Sequence, residues 1–334
     1  MTPEISLVIP IYNEAPNIEA LYGEITAALD PWGRTYEVLL IDDGSSDGSA
    51  DLLAQLPGRD ARFRVIKFRR NFGQTPAFSA GFAHARGRVI ITSDGDLQND
   101  PKDIPMLVAR LEEGFDIVCG WRKDRKDTLV TRRIPSIIAN RLISRATGVE
   151  LHDYGCSLKA FRSEVVKPLR LYGEMHRFIP AIASEFGVKV AEVVVNHRAR
   201  RAGTSKYGLS RTIRVILDLL TVKFLLNYAT RPLQIFGLVG VILGALGTLI
   251  MAYLVFVRLF LHQGIADRPL LLFGILLVSS GLQLLTMGLL AELQARTYHE
   301  SQDKPTYAIR EIIEANVEPG PPLAAAGLRG LPRG

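Results

Sequence analysis

Short apolar runs and longer amphipathic stretches alternate along the first 125 residues. The runs "ISLVIPI", "YEVLLID", "RVIKF", "RVIITSD" and "DIVCGW" are too short for buried helices and are bounded by polar residues, so they predict buried β-strands. Between them, "NIEALYGEITAAL" places Ile18, Leu21, Tyr22, Ile25 and Leu29 on one helical face. "TPAFSAGFAHARG" carries small residues that let a helix lie close on a sheet, with Gly87 placed to end it. "DPKDIPMLVARLEEG" opens with Asp100 as N-cap and Pro101 at the first helical position. This alternation predicts an α/β fold with a mostly parallel sheet, whose ligand sites lie beyond the carboxyl ends of the strands. Residues 126–200 are less regular, with one further strand in "KVAEVVVNHRAR".

The pattern changes after residue 206. From Tyr207 to Arg231, helical spacing puts Arg211, Arg214, Asp218 and Thr221 on one face, with Ile213, Ile216, Leu217, Leu220 and Phe224 around the rest. A basic amphipathic helix of this kind suits a membrane surface. Residues 232–257 and 269–291 contain no charge, and each exceeds the roughly 20 residues needed to cross a bilayer. The short connection 258–268 makes them a hairpin. Arg198, Arg200, Arg201, Lys206, Arg211, Arg214, Lys223 and Arg231 precede the hairpin, whereas its loop has only Arg258 and Arg268. The positive-inside rule therefore places both termini and the α/β domain in the cytoplasm, on the inner membrane. The expected domains are 1–206, catalytic; 207–231, juxtamembrane; 232–292, hairpin; and 293–334, a cytoplasmic tail whose low-complexity end is disordered.

Composition adds two constraints. The chain of 334 residues has formal net charge +6, which favours an anionic partner. Its only cysteines, Cys119 and Cys156, suit reduced cytosolic thiols better than a disulfide framework, and no zinc-spaced cluster exists. The apolar spans hold no ionisable residue to mark a transport pathway.

Candidate chemistry gathers at the predicted strand ends. In "TSDGDLQND", Asp94, Asp96 and Gln98 form an oxygen-rich set that suits Mg²⁺ or Mn²⁺, completed by water and substrate phosphate. A solvated turn ahead of the Asp100 cap is the plainer alternative. In "IDDGSSDGS", Asp42 and Asp43 can hydrogen-bond a ribose or base, or the segment is a capped turn and nothing more. In "PIYNE", Pro10, Tyr12 and Glu14 can line a nucleotide pocket, with Tyr12 equally suited to the core.

Taken in order, "VIPIYNE", "LLIDDGSSDGS", "RRNFGQTPAFSAGFAHARG" and "ITSDGDLQNDP" resemble glycosyltransferase family 2 with the GT-A Rossmann-like fold. The likeness is to the branch of dolichol-phosphate mannosyltransferases and bacterial polyprenyl-phosphate glycosyltransferases, some of which carry a C-terminal two-helix membrane hairpin. It implies that Pro10, Tyr12, Glu14, Asp42 and Asp43 hold the nucleotide with Asp94, and that Asp94, Asp96 and Gln98 hold the metal. In "GWR", Arg122 would face a phosphate; in "RRIPS", Arg132 or Arg133 and Ser136 would bind the acceptor phosphate, as would Lys206 in "GTSKYG". In "HDYGCSLKAFR", Asp153 would meet sugar hydroxyls, orient the acceptor or act as a base. That segment departs from the family, which often has serine then glycine where this chain has Gly155-Cys156-Ser157. In "MHRFIP", His176 reads as structural or as an acceptor-side contact, and Arg177 as the partner of an acidic group.

The implied catalytic residues are Asp96, Asp153 and Arg122. The implied activity is inverting, metal-dependent transfer of a sugar from a nucleotide sugar, UDP-linked in preference to GDP-mannose, to polyprenyl phosphate. The implied partners are donor, acceptor, membrane lipid and further copies of the chain, a tetramer being one such state, without nucleic acid. A processive polysaccharide synthase is a rival, but its QxxRW motif is missing, since the only tryptophans are Trp32 and Trp121. A non-catalytic nucleotide-binding scaffold is a second rival.

Overall fold

β-Branched and leucine-rich runs form the strands, and almost every residue in the central ones is buried, as expected when helices cover both faces of a sheet. The computed structural model describes residues 2–123, 144, 148–171, 175–184, 186–198, 233–262, 264–265, 268–301 and 306–315. The chain divides into two units, one of Met1–Asn140, Leu151–Lys206 and Thr306–Gly334, the other of Arg141–Glu150 and Tyr207–Pro305.

In the first unit the strands are β1 (Ile5–Ile11), β2 (Tyr36–Asp42), β3 (Phe63–Phe68), β4 (Val89–Thr92), β5 (Ile117–Trp121), β6 (Lys159–Arg162), β7 (Val190–Val194) and β8 (Ile309–Ile313). They form one sheet in the order β7-β5-β6-β4-β1-β2-β3-β8. The β4-β1-β2-β3 core is parallel, whereas β6 runs antiparallel to both β4 and β5. The sheet is thus mixed, with a parallel centre. Helices α1 (Ile18–Leu29), α2 (Ser49–Arg59), α3 (Gln74–His84) and α4 (Ile104–Glu112) connect the strands, and the short α5 (Ser163–Val166) and α6 (Ile179–Ser184) fall between β6 and β7. The predicted α1 face is the buried one, with Ile18, Leu21, Ile25 and Leu29 inside. Asp100 caps the turn before α4 by accepting from the Lys102 N–H at 3.1 Å.

The segment expected as a tail after the hairpin contains a strand, β8, that the sequence pattern does not mark. This strand pairs antiparallel with β3 and closes that edge of the sheet. Tyr307 stacks on Phe68 with ring centroids 5.2 Å apart. Glu314 bonds Arg64 and Arg86, and Arg64 in turn bonds buried Glu37 at 2.8 Å. Glu37 also accepts from the Ser6 hydroxyl at 2.6 Å and the Arg86 N–H at 2.6 Å. "IREII" carries little signal in the sequence because an edge strand needs to bury only part of one face.

In the second unit, α7 (Leu233–Phe260) and α8 (Pro269–Ser301) are the described helices. The apolar segments Phe236–Phe260 and Pro269–Ala291 have mean hydropathies of 2.4 and 2.1, long and apolar enough to cross a membrane. Their large side chains, among them Leu249, Phe256, Leu272 and Leu282, face outward rather than into a protein core. Gly240 and Gly281 let the two backbones meet: a Cβ at Gly240 would lie 2.7 Å from the Gly281 carbonyl oxygen. The expected amphipathic helix 207–231 lies outside the described residues.

Glu37 and Arg64 are both nearly fully buried, whereas Glu314 stays partly exposed. Arg64→Ala is expected to cost about 3–5 kcal/mol, because it strands a buried carboxylate, and Glu314→Gln about 1 kcal/mol or less. Burial works to raise the Glu314 carboxyl, but Arg64 and Arg86 hold it below its ordinary 4.5. Its stabilisation is therefore present above that value and lost as pH falls through the lower folded one. Melting curves of wild type and Glu314→Gln should converge in acid; a gap that widens there would count against the pairing.

Candidate active site

The parallel core sets the carboxyl ends of β1, β2 and β4 side by side, with Ile11 paired to Asp42 and Val8 to Thr92. Tyr12 is 38% exposed and so sits on the rim rather than in the core. The loops after β1 and β2 are stitched together. Ser45 Oγ accepts from the Asn13 N–H at 3.0 Å, Asn13 Oδ1 from the Ser46 N–H at 2.8 Å, and Ser49 Oγ from the Glu14 N–H at 3.0 Å. Glu14 also accepts from Asn17 Nδ2 at 2.6 Å. Asp42 accepts from the Ser45 N–H at 3.0 Å.

Asp43 has a different environment from its neighbour. Its two oxygens accept from the Phe72 and Gly73 N–H groups at 2.7 and 2.9 Å, which ties the loop before α3 to the end of β2. Burial pushes its carboxyl up, partly offset by those two donors. Asp43 therefore fixes residues 72 and 73 against the end of β2, while Pro10, Tyr12, Glu14 and Asp42 lie at or just past the carboxyl ends of β1 and β2.

The turn after β4 carries the acidic pair. Asp94 Oδ1 accepts from Gln74 Nε2 at 2.7 Å and Oδ2 from the Ser157 hydroxyl at 2.6 Å. Ser157 is itself fixed, its hydroxyl by Asn99 Nδ2 at 2.8 Å and its carbonyl by the Thr92 hydroxyl at 2.6 Å. Burial, and then the charge of Asp96, push the Asp94 carboxyl up. Asp96 is buried and accepts from the Gln98 N–H at 3.2 Å. Leu97, between them, is held in the left-handed region at φ 62°, a conformation that costs an ordinary residue about 1–2 kcal/mol. Gly95 allows the turn to lie against β1, since a Cβ there would fall 2.4 Å from Ile11 Cδ1. The Gln98 carbonyl accepts from the Arg198 N–H at 2.9 Å, so its side-chain amide is the freer oxygen source. Asp100, the third acid of the stretch, is matched by Arg198 at 2.5 Å as well as capping its helix.

Arg122, just past β5, is locked to Asp153: Nε donates at 2.7 Å to Oδ2 and Nη2 at 2.9 Å to Oδ1. Arg122 and buried Lys159 both act electrostatically to lower the Asp94 carboxyl. His176 is buried, with Nδ1 2.7 Å from the Thr75 hydroxyl and its ring near Phe78, a structural setting. Cys119 and Cys156 are free and buried, and burial pushes their thiols up to about 12 and about 11. Arg132, Arg133, Ser136 and Lys206 lie outside the described residues. Gln74, Asn99 and Ser157 were not singled out in the sequence; the only signal was a polar residue at a helix start and a serine in the "GCS" departure.

A divalent cation fits this donor set. Asp94 and Asp96 are a like-charged pair; burial first and then Asp96 raise the Asp94 carboxyl, and a cation held by both would relieve the second of these. Among the described residues no cluster of three or more His, Cys, Asp or Glu could hold a metal. Two carboxylates with water and substrate phosphate match the usual Mg²⁺ arrangement instead.

This parallel-centred sheet with acidic turns at its carboxyl edge is a GT-A fold. The family model for glycosyl transferase family 2 matches residues 6–170, and the chain belongs to that family. It is 49% identical over 317 residues to the dodecaprenyl-phosphate galacturonate synthase of Rhizobium johnstonii, covering 93% of each chain. It is 40% identical over 316 residues to the undecaprenyl-phosphate 4-deoxy-4-formamido-L-arabinose transferase of Edwardsiella ictaluri, covering 93% of this chain and 95% of that one. The fold matches glucosyl-3-phosphoglycerate synthase from Mycobacterium tuberculosis, crystallised with Mn²⁺, UDP and phosphoglyceric acid. There the TM-score is 0.52 at 22% identity, over 66% of this chain and 78% of that one.

Gly95→Ala is expected to destabilise the protein by about 1–3 kcal/mol through overpacking against Ile11. Adding Ile11→Val removes the clashing methyl and should recover part of the loss in a thermal melt. A double variant no more stable than Gly95→Ala alone would place the clash elsewhere.

Proposed function

We propose that this glycosyltransferase moves a sugar from a nucleotide sugar to polyprenyl phosphate, undecaprenyl phosphate in particular. The product is a lipid-linked monophosphate sugar for cell-envelope glycan assembly or modification. The observation that carries the reading is the Asp94–Asp96 pair in the turn after β4, with Asp94 held in place by Gln74 and Ser157. Such a pair suits a diphosphate-bearing donor and its Mg²⁺ or Mn²⁺. The two named relatives differ in sugar but share a polyprenyl-phosphate acceptor, which makes the acceptor the firmer part of the reading. UDP-linked donors are favoured, with GDP-mannose as the alternative.

When bound, the metal supplies charge neutralisation to the departing nucleoside diphosphate. Asp96 and Asp94 would hold it with the Gln98 amide, and Gln74 and Ser157 keep Asp94 in one orientation. Pro10, Tyr12, Glu14 and Asp42 border the nucleoside. Arg132 or Arg133, Ser136 and Lys206 bind the acceptor phosphate at the membrane face. Direct attack by a phosphate oxygen inverts the anomeric carbon.

The apolar hairpin tethers the enzyme beside its lipid acceptor. β8 follows both apolar segments yet pairs with β3, so the chain must cross the membrane an even number of times between them. This supports a two-span hairpin with the catalytic unit and C-terminal strand on one side, and the basic flank supports the cytoplasmic side. Association of several chains in the membrane belongs to the same reading.

Asp96→Asn is expected to reduce transfer at least 100-fold, with folding and membrane insertion intact. EDTA should abolish transfer and Mn²⁺ or Mg²⁺ restore it. The assay is radiolabelled sugar transfer to undecaprenyl phosphate across a panel of UDP- and GDP-sugars; near-normal turnover in the variant would sink the metal assignment. Arg132→Ala with Arg133→Ala should raise the acceptor KM more than it weakens UDP binding. Equal loss of both would argue against an acceptor role.

A further inference from the structure

We infer that Asp153 is a positioning residue, which aims the Arg122 guanidinium at the acceptor phosphate, and is not the base of the transfer reaction. The inference deepens the proposed polyprenyl-phosphate reading and rests on it.

A base needs an oxygen open to the nucleophile's proton. Asp153 is buried, and both of its oxygens are engaged by Arg122, side-on through Nε and Nη2. Oδ1 also accepts from the Gly155 N–H at 3.1 Å. This pairing uses two of the five guanidinium N–H groups and leaves three, including both on Nη1. Among the described residues Asp153 is the one hydrogen-bond partner of that guanidinium, so the remaining donors are available to an anion.

A second layer holds Asp153. Glu192, on β7, accepts from the backbone N–H of His152 at 2.9 Å and of Asp153 at 3.0 Å, and pairs with His152 Nδ1 at 2.8 Å. The His152 ring stacks on Trp121, the residue before Arg122, at 4.2 Å. Gly155 leaves room for the fork, since a Cβ there would lie 3.2 Å from Arg122 Nη2. The departure "GCS" thus has a use: Gly155 accommodates the guanidinium and Ser157 binds Asp94, two residues apart on one segment.

The chemistry needs no base here. A phosphate monoester loses its second proton near pH 6, so the acceptor is largely a dianion at neutral pH. One of its oxygens forms the bond to the anomeric carbon as the bond from that carbon to the diphosphate oxygen breaks. The electron pair leaves with the nucleoside diphosphate, and no proton has to be taken up. What the step requires is an oriented acceptor, and a guanidinium fixed on one side supplies that orientation.

The test is a double-mutant cycle in the full-length protein in detergent, with undecaprenyl phosphate as acceptor and UDP binding as a control for the fold. Arg122→Gln and Asp153→Asn are each expected to lower kcat/KM for the acceptor about 100-fold. The double variant should fall no further than Arg122→Gln alone, within about twofold, and UDP affinity should hold throughout. Losses that multiply would make Asp153 an independent catalytic group and overturn the proposal. If Asp153→Asn fails to fold, Glu192→Gln replaces it; its smaller loss should vanish in the Arg122→Gln background, and persistence there overturns the proposal equally. A readout without turnover separates this inference from the wider reading. The Arg122 Nε–H should give a solvent-protected NMR signal in wild type that is lost in Asp153→Asn or weakened in Glu192→Gln. An unprotected wild-type signal would refute the pairing. Protection together with no transfer to polyprenyl phosphate would instead refute the proposed acceptor.

Discussion

Two carboxylates held together at the end of a buried strand are the constraint around which this catalytic unit is arranged. Asp94 and Asp96 carry like charge two residues apart, and burial followed by the charge of Asp96 pushes the Asp94 carboxyl up. The fold answers with placed donors and nearby cations. Gln74 and Ser157 occupy the Asp94 oxygens, and Arg122 and Lys159 lower its carboxyl from a distance. A divalent ion held in this turn would offset the push that Asp96 exerts on Asp94.

The sheet order distributes these duties. Insertion of antiparallel β6 between β4 and β5 delivers the segment 153–157 to the acidic turn, because that segment leads directly into β6. β7 beside β5 then brings Glu192 behind Asp153. The opposite edge has a structural task. There β8 covers β3, and Glu314 completes the charge balance of buried Arg64 and Glu37. One side of the sheet thus packs segments against the acidic turn, and the other is closed by β8.

Much of this was legible in the linear chain, for reasons of periodicity. β1 through β5 and α1 follow from apolar spacing, and the Asp100 cap from its place before Pro101. The apolar segments of α7 and α8 follow from length and lack of charge. The acidic turns stood out because carboxylates rarely crowd the end of a buried run without a partner. Less legible were residues whose meaning lies in a distant contact. Gln74 lies just before a helical pattern, Ser157 in an irregular stretch, and Glu192 is one polar position within a strand run. Each acquires its role from a neighbour tens of residues away.

The sequence by itself determined most elements of the first 121 residues, the two apolar spans and the list of groups able to bind phosphate, sugar or metal, because these depend on local spacing and side-chain chemistry. Tertiary structure alone decided which of those groups meet. It turned Asp43 toward the 72–73 backbone and paired Asp153 with Arg122. It also returned residues 309–313 to the sheet as an edge strand. The reason is physical: hydrogen bonds and ion pairs act over a few ångströms, and strand order, not distance along the chain, sets which side chains come within that range.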